Sequence, residues 1–149
     1  MIKDTQKDSK FVVFTLGNTR YALPAIQVRE IVNLGALAPL PEAPSCIKGV
    51  MSVRERLLPV VDLKECLGLG PTNGDFKPRV LIARLPKALI GLLVDRVDEI
   101  VSVSLDSVEP PPALDIYDSK RFLYGVMRVD ERLVLFLNLE EVFSGGVAA

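Results

Sequence analysis

The chain has no histidine, and only two cysteines, Cys46 and Cys66, among its 149 residues. Without histidine it lacks the side chain that most often moves protons near neutral pH. Two cysteines are too few for a disulfide framework and lack metal-ligand spacing. They read as free thiols, with Cys46, in a proline-rich segment, partly exposed. No phosphate-cradling glycine loop, nucleophile elbow or zinc-binding histidine pair occurs. The neighbouring acids Asp98-Glu99 and Glu140-Glu141 read as solvated charges. The expectation is a protein that is not an enzyme, with no catalytic residue, metal or cofactor.

An excess of one charge sign is also lacking. Eighteen basic residues face nineteen acidic ones, for a net charge of −1. Such a balance leaves no electrostatic footprint for nucleic acid or for an anionic membrane surface. No run of eighteen apolar residues occurs, so no membrane-spanning helix is expected. The first ten residues, MIKDTQKDSK, lack the apolar stretch of a signal peptide. A cytoplasmic location is expected. At 49% hydrophobic and 25% charged, the chain can build a real core within one domain, residues 1–149.

What the chain has is a repeat. Gly49–Leu67, GVMSVRERLLPVVDLKECL, aligns with Gly125–Phe143, GVMRVDERLVLFLNLEEVF, at nine of nineteen identical positions. Upstream, Phe11–Val32 aligns without a gap on Val80–Val101, ending VREIV against VDEIV. Both pairs come in the same order, which defines pseudo-repeated halves of about 11–68 and 79–143. A Gly/Pro-broken linker at about 69–78 joins them, and a polar N-terminal tail covers 1–10.

Within each half the signals are short strands broken by glycine and proline. Phe11–Leu16 and Tyr21–Leu23 flank the turn residues Gly17-Asn18. Ala25–Arg29 fits one helical turn, and Asp95 fits an N-cap ahead of Arg96. The Gly-Val-Met unit predicts a hairpin, Gly49–Val53 with Leu57–Val61. Asp62 to Glu65 and Asn138 to Glu141 follow the logic of a capping box and predict a short helix in each half, ended by Gly68 and Gly145. Five or so strands per half point to a small closed barrel in each, because closure removes exposed sheet edges. The fold class is mainly β, two packed five-stranded barrels with short helices. Gly49, Gly91 and Gly125 read as structural, and Tyr21 and Phe143 as core.

The ordered set FTLGNTRYALP at 14–24, VREIV at 28–32, PLPEAPSCIKGV at 39–50, RERLLPVVDL at 54–63, IGLLVDRVDEI at 90–100 and YGVMRVDERLVLFLNLEEVF at 124–143 resembles the CheW-type chemotaxis coupling proteins. The resemblance covers about residues 11 to 143. It implies two SH3-like five-stranded barrels packed side by side and an adaptor with no active site. Its implied partners are the cytoplasmic tip of a chemoreceptor (a methyl-accepting chemotaxis protein) and the regulatory domain of the histidine kinase CheA. Two alternatives stay open: a CheW-like adaptor of a pilus or surface-sensing pathway, and a small-molecule sensor binding between the barrels.

Four residues match the family region tied to receptor binding: Val28, Glu30, Ile31 and Arg54. Val28 and Ile31 also fit core positions, since Val97 and Ile100 repeat them. Glu30 recurs as Glu99 and also fits a bracing role. Arg54 is replaced by Asp130, and a position that differs between copies suits asymmetric recognition better than one that repeats; an ordinary solvated arginine is the plain alternative. The family's hairpin usually has glycine after the arginine matched by Arg54, where this chain has Glu55. A turn of another type or a strained residue is expected there.

Overall fold

The structure is a computed structural model, and it describes residues 8–69, 77–111 and 122–144. Ten strands form two five-stranded antiparallel-dominated sheets. Strands β1 (Asp8–Leu16), β2 (Thr19–Pro24), β8 (Arg96–Ser104), β9 (Leu123–Val129) and β10 (Arg132–Leu137) make the first, in the order β8-β1-β2-β10-β9. Strands β3 (Val28–Asn33), β4 (Ile47–Val53), β5 (Arg56–Asp62), β6 (Arg79–Leu85) and β7 (Ala88–Val94) make the second, in the order β3-β6-β7-β5-β4. Helix α1 (Leu63–Cys66) follows β5 and helix α2 (Leu139–Ser144) follows β10.

The strand orders correct one expectation. A barrel per half would keep β1 to β5 together, yet each sheet takes its leading hairpin from one repeat and its other three strands from the other. β1 and β2 join β8, β9 and β10; β6 and β7 join β3, β4 and β5. Exchanging each strand for its repeat counterpart turns one order into the other. The parallel contacts of the exchanged hairpins, β2 with β10 and β7 with β5, sit at equivalent places. The sequence tail is also shorter than read: β1 begins at Asp8 and pairs with β8 from there. Most of the linker, residues 70–76, lies outside the described residues, as does Gly145.

The exchange explains the apolar runs. β1 and β6 are buried on both faces, so their side chains alternate between two cores. Val12, Phe14 and Leu16 point into the layer shared by the two sheets, whereas Phe11 and Val13 point into the interior of the first sheet. Leu81 and Ala83 likewise enter the shared layer, while Val80 and Ile82 enter the interior of the second. The shared layer locks the two sheets together, and the two outer cores give each sheet its own inside.

Both interiors are closed by a strap. Ala38, five residues beyond β3, exchanges backbone hydrogen bonds of 2.9 and 2.8 Å with Val50 on the outer edge of β4. Glu109, beyond β8, does the same to Val126 on β9 at 2.8 and 2.8 Å. The repeated glycines make this possible. A Cβ at Gly49 would stand 2.6 Å from the Ala38 carbonyl oxygen, and one at Gly125 would stand 2.4 Å from that of Glu109. Each strap thus pairs an edge that would otherwise be free to recruit another strand.

The helix caps follow the sequence in part. Asp62 accepts from the Lys64 backbone N–H at 3.1 Å, and Asn138 from that of Glu141 at 3.3 Å. The return bond of a capping box is not made in the first copy. The N–H groups of Asp62 and Asn138 go instead to the carbonyls of Cys46 and Phe122, both at 2.7 Å, which ties each helix start to the chain entering the Gly-Val-Met hairpin. Glu65 is free to pair with Lys48 at 2.7 Å. Ala25–Gln27 forms a single 3₁₀ turn. Asp95 caps no helix, because β8 begins at the next residue. Its carboxylate is buried and accepts from the Gly17 N–H at 2.7 Å, bracing the β1–β2 turn.

Candidate docking site

The four residues singled out in sequence divide into two pairs. Val28 and Ile31 are half-buried and pack against the shared core. Glu30 and Arg54 meet at the surface: Arg54 Nε lies 3.0 and 3.1 Å from the two carboxylate oxygens of Glu30. A bulge in β3 brings this about. Register with β6 slips between Val28 and Glu30, which leaves Arg29 as the extra residue. Bulges re-aim side chains, and here the neighbours Arg29 and Glu30 both line the same depression.

The β4–β5 hairpin supplies the other wall. Arg54 (φ 50°) and Glu55 (φ 67°) both adopt the left-handed conformation, the signature of a two-residue type I′ turn. Asp130 (φ 52°) and Glu131 (φ 65°) repeat it in the second copy. The turn is therefore the usual tight hairpin, with glutamate held where glycine costs least. This conformation presents Arg54 toward β3.

Between β3 and this hairpin lies an open depression of about 260 Å³, at the mouth of the second sheet's interior. Its floor is Leu58, Ile82 and Leu89, and its rim carries Arg29, Glu30, Arg54 and Arg56. A second depression of about 290 Å³ continues it past Arg56 and Leu89 to Arg84. Arg29, Arg56, Arg84 and Leu89 were not among the sequence candidates. The comparison already applied to Arg54 finds three of them, since Arg29 stands where the second copy has Asp98, Arg84 where the first has Thr15 and Leu89 where the first has Arg20; Arg56, repeated as Arg132, carries no such signal.

At the equivalent mouth of the first sheet the chemistry is self-contained. Arg20 is buried, with one terminal guanidinium nitrogen 2.8 Å from Glu99. Its Nε lies 3.5 Å from Asp98 without a hydrogen bond, held there by charge alone. Asp98 also accepts from the Thr15 hydroxyl at 2.7 Å and from Arg96 Nε at 2.9 Å. Burial pushes the Asp98 carboxyl up, but the hydrogen bonds from Thr15 and Arg96 and the charges of Arg96 and Arg20 outweigh it, so it sits below the usual carboxylate range.

Both cysteines are free thiols. Cys46 is buried, not partly exposed as the proline-rich context implied, because its segment is pinned to the start of α1. Burial, then a hydrogen bond with Cys46, push the Cys66 thiol up, away from the thiolate that attack requires. Among the described residues, no helix is long and apolar enough to cross a membrane.

The fold is thus a pair of interlocked five-stranded β sheets, with a rimmed, apolar-floored depression at the mouth of the second. The chain belongs to the CheW-like domain family, whose model matches residues 10–146. It is 28% identical over 139 residues to a probable chemotaxis protein CheW of Rhizobium etli, covering 93% of this chain and 90% of that one. It is 27% identical over 142 residues to the chemotaxis protein CheW of Helicobacter pylori, covering 95% and 86%. The crystal structure of the scaffolding protein TtCheW from Thermoanaerobacter tengcongensis superimposes with a TM-score of 0.81 at 32% identity, over 91% of this chain and 87% of that one. The family is one of chemotaxis scaffolds and adaptors rather than enzymes.

Proposed function

We propose that this chain is a non-enzymatic adaptor of the cytoplasm that couples a chemoreceptor to the histidine kinase CheA. The observation that carries the reading is the mouth of the second sheet. Its apolar floor and its Arg54–Glu30 pair have the character of a groove that grips a helix, with apolar contacts giving affinity and charges setting register. A receptor tip, built of antiparallel helices, fits such a groove. Val28 and Ile31 hold β3 in place from the core side, and Glu30 and Arg54 touch the partner. Family membership and the match to a scaffolding protein support the same reading.

The duplication supplies a second face. Leu57 and Leu133, repeat partners beside the two hairpin turns, are 74% and 55% exposed. Each sheet thus carries an apolar knob of its own, suited to a heterologous contact with the regulatory domain of CheA; such contacts close into rings or extend as chains. The experiment is co-sedimentation of the chain with a receptor cytoplasmic fragment and CheA, following kinase output. Output that changes with receptor state only when all three are present supports the proposal. Unchanged output on adding this chain contradicts it.

A further inference from the structure

The two mouths, compared position by position, differ in charge and in occupancy. In the first sheet Arg20 rises from β2 and fills the opening, neutralised by Asp98 and Glu99 on the rim. In the second sheet Leu89 stands at the place of Arg20, Arg84 at that of Thr15, Arg29 at that of Asp98 and Arg54 at that of Asp130. The strand registers make these true counterparts: Thr15 pairs with Arg20 as Arg84 pairs with Leu89. Leucine leaves the opening unfilled, and the depression above Leu58, Ile82 and Leu89 is the result.

The rim of the open mouth is also short of counter-charge. Glu30 answers Arg54, but among the described residues no carboxylate lies within ion-pair distance of Arg29, Arg56 or Arg84. Four guanidinium groups against one carboxylate leave a local excess of three positive charges, on a protein whose net charge is −1. Guanidinium forks match carboxylates geometrically, and a cluster of one sign steers the opposite sign to it.

We propose that the open mouth receives an acidic segment of the receptor tip: an apolar side chain enters over Leu58, Ile82 and Leu89, while flanking aspartate or glutamate side chains pair with Arg56 and Arg84. The inference rests on the receptor-docking reading above and adds to it the chemistry of the segment bound. The first mouth takes no such segment, because the buried Arg20 occupies the place of Leu89 and Asp130 stands where the second mouth has Arg54. This accounts for a duplicated fold that recognises this partner at one end only.

The test compares the full chain with R56Q/R84Q and with R132Q, the repeat counterpart of Arg56 on the other sheet. All three arginines are exposed, so matching melting temperatures separate binding from folding. Binding is measured to a receptor cytoplasmic fragment and to two synthetic helical peptides, one with a leucine flanked by glutamates and one with it flanked by lysines. R56Q/R84Q is expected to weaken the fragment and the glutamate peptide by about tenfold or more, and R132Q to leave both unchanged, with no binding of the lysine peptide. A fragment that binds the parent chain and R56Q/R84Q equally well overturns the inference and leaves the receptor reading standing. If the fragment does not bind at all, the receptor reading fails and the peptides decide. Arginine-dependent capture of the glutamate peptide alone upholds the acidic-segment site for another partner; no capture, or equal capture of both peptides, overturns it.

Discussion

Glu30 and Glu99 occupy the same place in the two repeats, yet Glu30 pairs with the exposed Arg54 and Glu99 with the buried Arg20. The Arg54 side chain is 78% exposed and that of Arg20 is 8%. An exposed ion pair contributes at most about 1 kcal/mol. R54A should therefore change folding stability by less than about 1 kcal/mol. R20A takes the Arg20 partner from Glu99, while Asp98 keeps Thr15 and Arg96. Because Glu99 is 39% exposed, the loss should fall below the full range for a broken buried pair, at about 2–3 kcal/mol. Urea unfolding of the two variants checks both values.

The two hairpin turns hold Glu55 and Glu131 at φ 67° and 65°. Left-handed backbone costs a non-glycine residue about 1 kcal/mol or more. E55G and E131G should each stabilise the fold by about 1 kcal/mol, read as a raised unfolding midpoint. Equal gains from the two variants would show that the strain is duplicated with the fold.

Closure of each sheet depends on a missing side chain. G125A places a methyl group 2.4 Å from the Glu109 carbonyl oxygen and 2.6 Å from Val108 Cγ1. The strap must move, at a cost of about 2 kcal/mol or more. Amide hydrogen exchange at Glu109 and Val126 should accelerate before that of β1 does.

Asp98 makes stability depend on pH. Its folded-state carboxyl lies below the usual range. Its contribution is therefore complete above the unfolded value, about 3.9, and is lost as pH falls through the lower folded value. D98N should be less stable than the parent chain at pH 7, and the gap should narrow below about pH 4. A gap that is constant across that window would mean the carboxylate charge contributes nothing.

Much of the fold is legible in the sequence because duplication writes each element twice. The Gly-Val-Met hairpin, the helix after Asp62 and the strand at Phe11 are each supported by a second copy. The exchange of leading hairpins is not legible. Phe11–Leu16 is apolar on both faces whichever sheet it joins, so pattern fixes its burial and not its partners. Asp95 misleads for a similar reason: an aspartate after a strand fits a helix cap, but here the chain turns straight into β8. Of the site, Glu30 and Arg54 are visible through the family resemblance, and only Arg54 is also marked by differing between the two copies. Arg29 and Arg84 are not singled out, because nothing local marks a bulge or tells which arginines share a rim until the strands are paired.

On the proposed reading, one barrel plan, used twice, offers unlike docking faces. Its most direct measurement is a pull-down by two baits, a receptor cytoplasmic fragment and the CheA regulatory domain, with R54E at the open mouth and L133D at the other hairpin. The expected result is that R54E loses the receptor fragment and keeps the kinase domain, while L133D does the reverse. Equal loss of both baits by the two variants, with both still folded, would contradict the claim.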